Sequence, residues 1–279
     1  MNAPVSVRVE QRIAFVAINN PPVNGLSHTV REGLFDAFNA VRSDDGIDGV
    51  VLHGHGPCFS AGGDIREFGT PAASVDPGLS KDVHPAIEGC GKTVVAAIHG
   101  YALGGGLETA MACHVRVAAA GARVGLPEAR LGVIPLSGAQ RLPRLIGVDA
   151  AIDMILTAND VRAEEAPAGL IDAIVEEAAL LDIAARHARK PMRALVRERP
   201  FPADRGAFAR ARAAIAAGAY PPFAARLLDA MACGLGVSFD EGLRGARAIY
   251  DATVNSAASR EARAAFLAAR SAHSRKQTT

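Results

Sequence analysis

The chain has 279 residues, 49% of them hydrophobic, enough to bury a large core in one sizeable domain or two small ones. Its 30 basic and 29 acidic residues leave a formal charge of +1, so no long-range field selects nucleic acid or a membrane surface as the main partner. Cys58, Cys90, Cys113 and Cys233 form no Cys-x-x-Cys pair and read as reduced thiols. Residues 1–9 lack the basic start and apolar run of a signal peptide. No stretch approaches the roughly 18 apolar residues of a membrane span, so a soluble, cytoplasmic protein is expected.

In chain order, residues 13–19 and 49–53 are short apolar runs that predict strands, and Val30, Leu34, Phe38 and Val41 between them keep helical spacing. Thr29 and Glu32 stand in capping-box register for that helix, and Asp44, Asp45 and Gly46 supply turn chemistry after it. Residues 69–80 (GTPAASVDPGLS) read as a flexible surface loop. A third buried strand is predicted over 93–98, a helix over 107–113 and a further strand over 115–119, an α/β alternation. From about residue 150 strand signals disappear. Helices are expected over 150–158, 180–190, 206–216, 223–233, 239–250 and 260–270, with 190–204 as a proline-punctuated link. Pro167 is unexpected in the helical stretch AEEAPAGL. These alanine-rich helices, poor in large side chains, read as a cap on the core and on neighbouring subunits.

Two glycine-bearing turns, FSAGGDI (59–65) and YALGGGLE (101–108), each follow a predicted strand. Glycine lets a backbone amide approach a ligand, and a helix starting near Leu107 aims its positive dipole end there. Brought together, the two turns would make an oxyanion hole. Singly, each is more often only a tight turn. No Lys-Ser or Lys-Thr follows the glycines and no G-x-G-x-x-G opens a helix, which excludes a P-loop and argues against a nucleotide cofactor. Glu108 opens a helix, and Glu128 in VGLPEARLG sits beside apolar residues. If folding joins them, desolvation and repulsion raise at least one pKa and create a general acid and base. Alone, each glutamate has a structural reading as a helix-cap or solvated residue.

FSAGGDI, YALGGGLE and VGLPEARLGVIP, in this order and spacing, resemble the crotonase (enoyl-CoA hydratase/isomerase) superfamily. The likeness runs from NNPPVNGLS at Asn19 to Asn159 and more loosely beyond. FSAGGDIREFG, ACHVRVA around His114 and GLPEARLG are most similar to the hydratase half of bifunctional fatty-acid oxidation enzymes. The tail SREARAAFLAAR resembles the segment leading into the dehydrogenase half, so a free-standing relative of the hydratase half is expected. The resemblance implies an α/β fold with the Clp-protease-like ββα-superhelix core over residues 1–200, and a C-terminal helical cap and trimerisation region over 201–279. It further implies that Gly63 and Gly105 supply the two amides that hold the thioester oxygen, and that Glu108 and Glu128 handle water and protons, Glu128 as proton donor. Val23, Ala61, Ile65 and Arg66 would touch coenzyme A. No separate cofactor or metal is implied, since coenzyme A arrives with the acyl thioester substrate, and a homotrimer or a hexamer of paired trimers is expected.

Asp64 is expected to fix its own turn, and the 69–80 loop either walls the acyl pocket or is a surface loop without function. The loop PLSGAQRLPR, where hydratases usually have PGARGTQ, departs from the family pattern beside Glu128. Within the superfamily, isomerases often keep one acid, and retention of both favours hydration. Serine hydrolysis has Ser60, Ser137, His55, His99 and His114 available but no G-x-S-x-G elbow. A non-catalytic or RNA-associated role rests only on scattered arginines between 244 and 275, which read more simply as a solvated face.

Overall fold

The computed structural model of the protein describes residues 3–67, 70–220 and 223–276, without the side chains of 73, 74, 267 and 269–276. Phe68 and Gly69, which end the FSAGGDIREFG motif and open the 69–80 loop, lie outside the described residues. So do residues 1–2 and 277–279 at the ends of the two expected regions, Pro221 and Pro222, and the side chains of Arg270 and Arg275 on the expected basic face.

Strands β1 (Val5–Glu10), β2 (Ile13–Ile18), β3 (Gly49–Gly54), β4 (Thr93–Ile98), β6 (Val115–Ala119) and β9 (Ala173–Val175) form one sheet in that order. Only β1 is antiparallel in it. β5 (Tyr101–Leu103), β7 (Arg123–Gly125) and β8 (Asp160–Arg162) form a second, smaller sheet. Among the helices, α1 spans His28–Arg42, α2 His84–Glu88, α3 Gly105–Ala112, α4 Gly138–Ile146 and α5 Val148–Thr157. The cap adds α6 (Leu180–Ala188), α7 (Arg205–Ala216), α8 (Ala224–Ala232), α9 (Phe239–Val254) and α10 (Ala257–Lys276).

The central strands read as unbroken apolar runs because both faces are covered. On β2, Ala14, Val16 and Ile18 face the main core beneath α1, whereas Ile13 and Phe15 face α6 through Leu180, Ala184 and Ala188. The main core continues past residue 200: Phe208, Leu227, Leu228 and Met231 join the same cluster as Leu34 and Leu107.

Four expectations change. The α1 cap is not the Thr29/Glu32 box. Ser27 is the N-cap without a side-chain bond, and the His28 amide donates instead to Glu67 Oε1 at 2.8 Å, a carboxylate from the end of the first glycine turn. The 69–80 segment is tethered where it is described. Arg31, ion-paired to Glu67, donates to the carbonyls of Ala72 and Pro77, and short 3-10 (Pro71–Ser74) and π (Leu79–Val83) turns result. Strand structure does not end at residue 150: β8 and β9 are three-residue strands, too short to show a period, that pair with β7 and β6. Pro167 interrupts no helix. Ahead of it stands a single 3-10 turn (Ala163–Glu165), and Ala166 is extended, as a residue before proline prefers.

Candidate active site

The first glycine turn is stapled to the PPVNG segment. Asn24 donates to the carbonyls of His55 and Cys58, Ser60 Oγ donates to the Asn24 carbonyl, and the Gly62 amide donates to Ser60 Oγ. Backbone bonds from Ala61 to Val23 and from Leu26 to Gly62 complete the staple. The second turn is laced to the first: Ser60 N donates to the Tyr101 carbonyl and Leu103 N to the Ser60 carbonyl, both at 3.0 Å. The result is close approach of two backbones. A Cβ on Gly105 would sit 3.3 Å from the Gly63 amide nitrogen, and one on Gly62 would sit 2.7 Å from the Leu103 carbonyl oxygen.

Gly105 opens α3, two residues earlier than the predicted start, so its amide has no intrahelical acceptor. The Gly63 amide meets no acceptor among the described residues. Both face one cavity. Gly104 before them has φ +52° and ψ −127°, a conformation open to glycine, and a Cβ there would press within 2.7 Å of Glu128 Oε1.

Glu108 lies one turn into α3 and Glu128 on a 3-10 turn (Pro127–Leu131) that leads to Gly132 in the left-handed region. Both are buried and both line the cavity. Glu108 Oε1 accepts from the Gly138 amide at 2.6 Å, so the divergent PLSGAQ loop supplies a direct partner. Burial pushes the Glu108 carboxyl above its ordinary range, opposed by the Gly138 N–H and the charge of Arg141. Glu128 is pushed well above it, by burial first and then by the charge of Glu108, and its Oε2 has no hydrogen-bond partner. Two interacting carboxyls of this kind hold one proton between them most easily.

The cavity has a volume of about 400 Å³, within the range of ligand pockets. Of the residues read from the sequence, Val23, Ala61, Gly63, Ile65, Gly105, Glu108 and Glu128 line it. Arg66 does not. Its side chain is 82% exposed and folds onto Asp64, which accepts from its guanidinium and its amide and keeps a lowered pKa because of them. Asp64 thus holds its own turn.

Leu79 and Ser80, from the 69–80 loop, also line the cavity, as do Arg247, Tyr250 and Phe266, which escaped the sequence reading. The last three come from α9 and α10, and α10 packs against the Glu128 turn, where a Cβ on Gly132 would meet Ser259. No local motif announces residues that arrive from the far end of the chain.

The serine and histidine candidates have other duties. Ser60 is in the staple, His99 Nε2 contacts the Gly56 carbonyl, and His114 Nδ1 accepts from the Val94 amide. Ser137 does pair with a histidine, but it is His84, 3.3 Å away, and both side chains are fully buried outside the cavity lining.

Residues 8–200 match the enoyl-CoA hydratase/isomerase family, and the chain belongs to it, with the crotonase-type α/β fold. It is 43% identical over 171 residues to a probable enoyl-CoA hydratase of Bacillus subtilis (strain 168), covering 60% of this chain and 66% of that protein. It is 44% identical over 171 residues to the peroxisomal bifunctional enzyme of Danio rerio, covering 61% of this chain and 23% of that one. The chain therefore spans just under two thirds of the first relative and about a quarter of the second. Among solved structures, Pseudomonas aeruginosa DspI superposes with TM-score 0.63 at 35% identity over 68% of this chain and 77% of its own. An enoyl-CoA hydratase/isomerase from Pseudoalteromonas atlantica T6c gives 0.72 at 24% identity over 95% and 96%, a likeness of fold alone.

Proposed function

We propose that the chain is an enoyl-CoA hydratase that adds water reversibly across the 2,3 double bond of a trans-2-enoyl-CoA. The observation that carries this is the meeting of two buried, partly uncompensated carboxyls with the Gly63 and Gly105 amides in one cavity. The amides would hold the thioester oxygen as negative charge builds on it, and each such donor is worth about 3 kcal/mol in the transition state. Glu108 orients a water and takes its proton as the oxygen bonds to C3, and Glu128 gives its proton to C2. The pair ends with its one proton moved from Glu128 to Glu108, and a transfer back resets it. Water has been added with no net gain or loss of protons.

Ala61 would border the adenine and Val23 would be a further contact with coenzyme A, with Ile65 and Arg66 next to the pantetheine path. Coenzyme A enters as part of the substrate. Residues 1–200 would carry the site, and 201–279 would cap it and join subunits in a cytoplasmic trimer or hexamer; the alanine-rich helices of that region support this. Among the described residues, no helix is long and apolar enough to cross a membrane. Names that refer to fatty-acid β-oxidation among the plant relatives support a place in that chemistry. The test is loss of the conjugated thioester absorbance of crotonyl-CoA. Turnover is expected from the wild-type chain, and its absence, or double-bond migration without hydration, would reject the reading.

A further inference from the structure

Behind Glu108, on the side away from the cavity, lies a buried polar chain that the hydration chemistry above does not use. Thr109 Oγ1 donates to the Gly105 carbonyl at 2.7 Å. With its proton committed there, the hydroxyl can meet His84 Nε2, 3.2 Å away, only as an acceptor. The imidazole must then carry its proton on Nε2. Burial, aided by the charge of Arg141, keeps the ring neutral, so Nδ1 is a bare acceptor. Ser137 Oγ, 3.3 Å from Nδ1, has one proton and gives it to that nitrogen. Ser137 Oγ also lies within reach of the Glu108 carboxyl, where a donated proton favours the charged form. The hydroxyl has one proton, so if it goes to His84 Nδ1 none is left for the carboxyl.

We propose that Thr109, His84 and Ser137 are positioning residues whose hydrogen bonds run away from Glu108, withhold a donor from its carboxylate and so keep it a strong enough base to take a proton from water. The inference rests on the reading of Glu108 as the base. The other charged or titratable groups facing Glu108 are Glu128 on the 3-10 turn, Arg141 on α4 and Tyr250 on α9. Arg141 is itself engaged by Glu88 of α2. A change at Thr109 removes none of them.

Thr109→Val keeps the shape of the side chain and removes the hydroxyl. The ring is then free to move its proton to Nδ1, which turns Ser137 into a donor toward Glu108. The expected result is a fall in kcat of about tenfold, less than the roughly 10²–10⁴-fold contribution of a general acid or base because the base is weakened and not removed, with KM unchanged and the acidic limb of the pH–rate profile moved to lower pH. Thr109→Ser, which restores the hydroxyl, returns the limb toward its wild-type position. In a Ser137→Ala background, Thr109→Val should move the limb no further, because the group that transmits the change is gone. A limb that stays in place in Thr109→Val overturns the proposal, whatever happens to kcat.

A second readout needs no turnover. Nitrogen-15 NMR of the histidine-labelled wild-type protein should show His84 protonated at Nε2 and bare at Nδ1, and the opposite tautomer overturns the relay. A wild-type chain that fails to hydrate crotonyl-CoA but shows the expected tautomer sinks the hydratase reading and leaves the hydrogen-bond direction standing.

Discussion

Two groups of buried carboxyls lie close together in this protein and are treated in opposite ways. Glu88 on α2 is clamped by Arg141 at 2.5 Å and by Arg197 at 3.1 Å, and Arg197 reaches on to Asp240 at the start of α9. Its charge is compensated, and the network ties α2, α4 and the cap together. Glu108 has the Gly138 amide on one oxygen and feels Arg141 without an ion pair to it, while Glu128 has an orphaned oxygen and a like charge beside it. The compensated carboxyl serves the fold. The less compensated ones carry a standing cost in free energy that the proposed proton chemistry would make use of.

The sharpest way to break that contrast is to neutralise each group in turn. Glu128→Gln and Glu108→Gln should each lower kcat for crotonyl-CoA by roughly 10²–10⁴-fold, the range of a general acid or base. Neither should destabilise the fold. For Glu128 the sign is the reverse of an ordinary carboxylate. Its folded pKa is raised, so the stability it contributes is fully present below its unfolded value, near the ordinary 4.5, and is lost as pH rises through the folded one. Glu128→Gln should therefore raise Tm, and by more at alkaline pH than at pH 4. A Tm that falls on substitution would mean that Glu128 is a structural residue like Glu88.

The opposite result is expected at the clamp. Glu88→Ala leaves Arg141 buried without its partner, and breaking a buried pair in this way costs about 3–5 kcal/mol. Thermal or urea unfolding should show that loss. The paired change Glu88→Met with Arg141→Met should recover much of it, since it leaves no stranded charge. Protein that stays folded should still hydrate substrate.

The clamp was not legible in the sequence, whereas most of the candidate site's lining was. Gly63, Gly105 and Glu108 sit at strand ends and on a helix start, where short motifs determine geometry locally, and Glu128 follows in a turn opened by Pro127. The central strands were legible because burial on both faces turns them into apolar runs. β1 was passed over although its valines alternate with Ser6, Arg8 and Glu10 at the period of a strand; it is an exposed edge strand that joins the sheet by pairing with β2. Glu88, Arg141, Arg197 and Asp240 are brought together from four separate elements, and Arg247 and Tyr250 of α9 join Phe266 of α10 at the cavity. No spacing rule reports such meetings. The α1 cap was misread for the same reason: Glu67, distant in sequence, took the role that a local box had been expected to fill.

A smaller effect probes the backbone beneath the uncompensated pair. Gly104→Ala forces a side chain into a glycine-only conformation and pushes its Cβ against Glu128 Oε1. A strained residue of this kind costs about 1–3 kcal/mol. Unlike Glu88→Ala, the change should lower kcat as well as Tm, because it displaces the acid. Loss of stability with an unaltered kcat would show that the carboxyl can relax away from the intruding methyl group.

The smallest effect is expected at Arg66, where a charge is neither buried nor orphaned. The Arg66 guanidinium stands in solvent, which screens its pairing with Asp64, so Arg66→Ala should leave Tm almost unmoved. If the guanidinium borders the path of coenzyme A, it acts on an anionic ligand through solvent. The variant should then raise KM at low ionic strength, and the difference from wild type should shrink as salt screens the interaction. A KM that does not respond at any salt concentration would remove Arg66 from the substrate path and leave it one function, holding the Asp64 turn that presents the Gly63 amide.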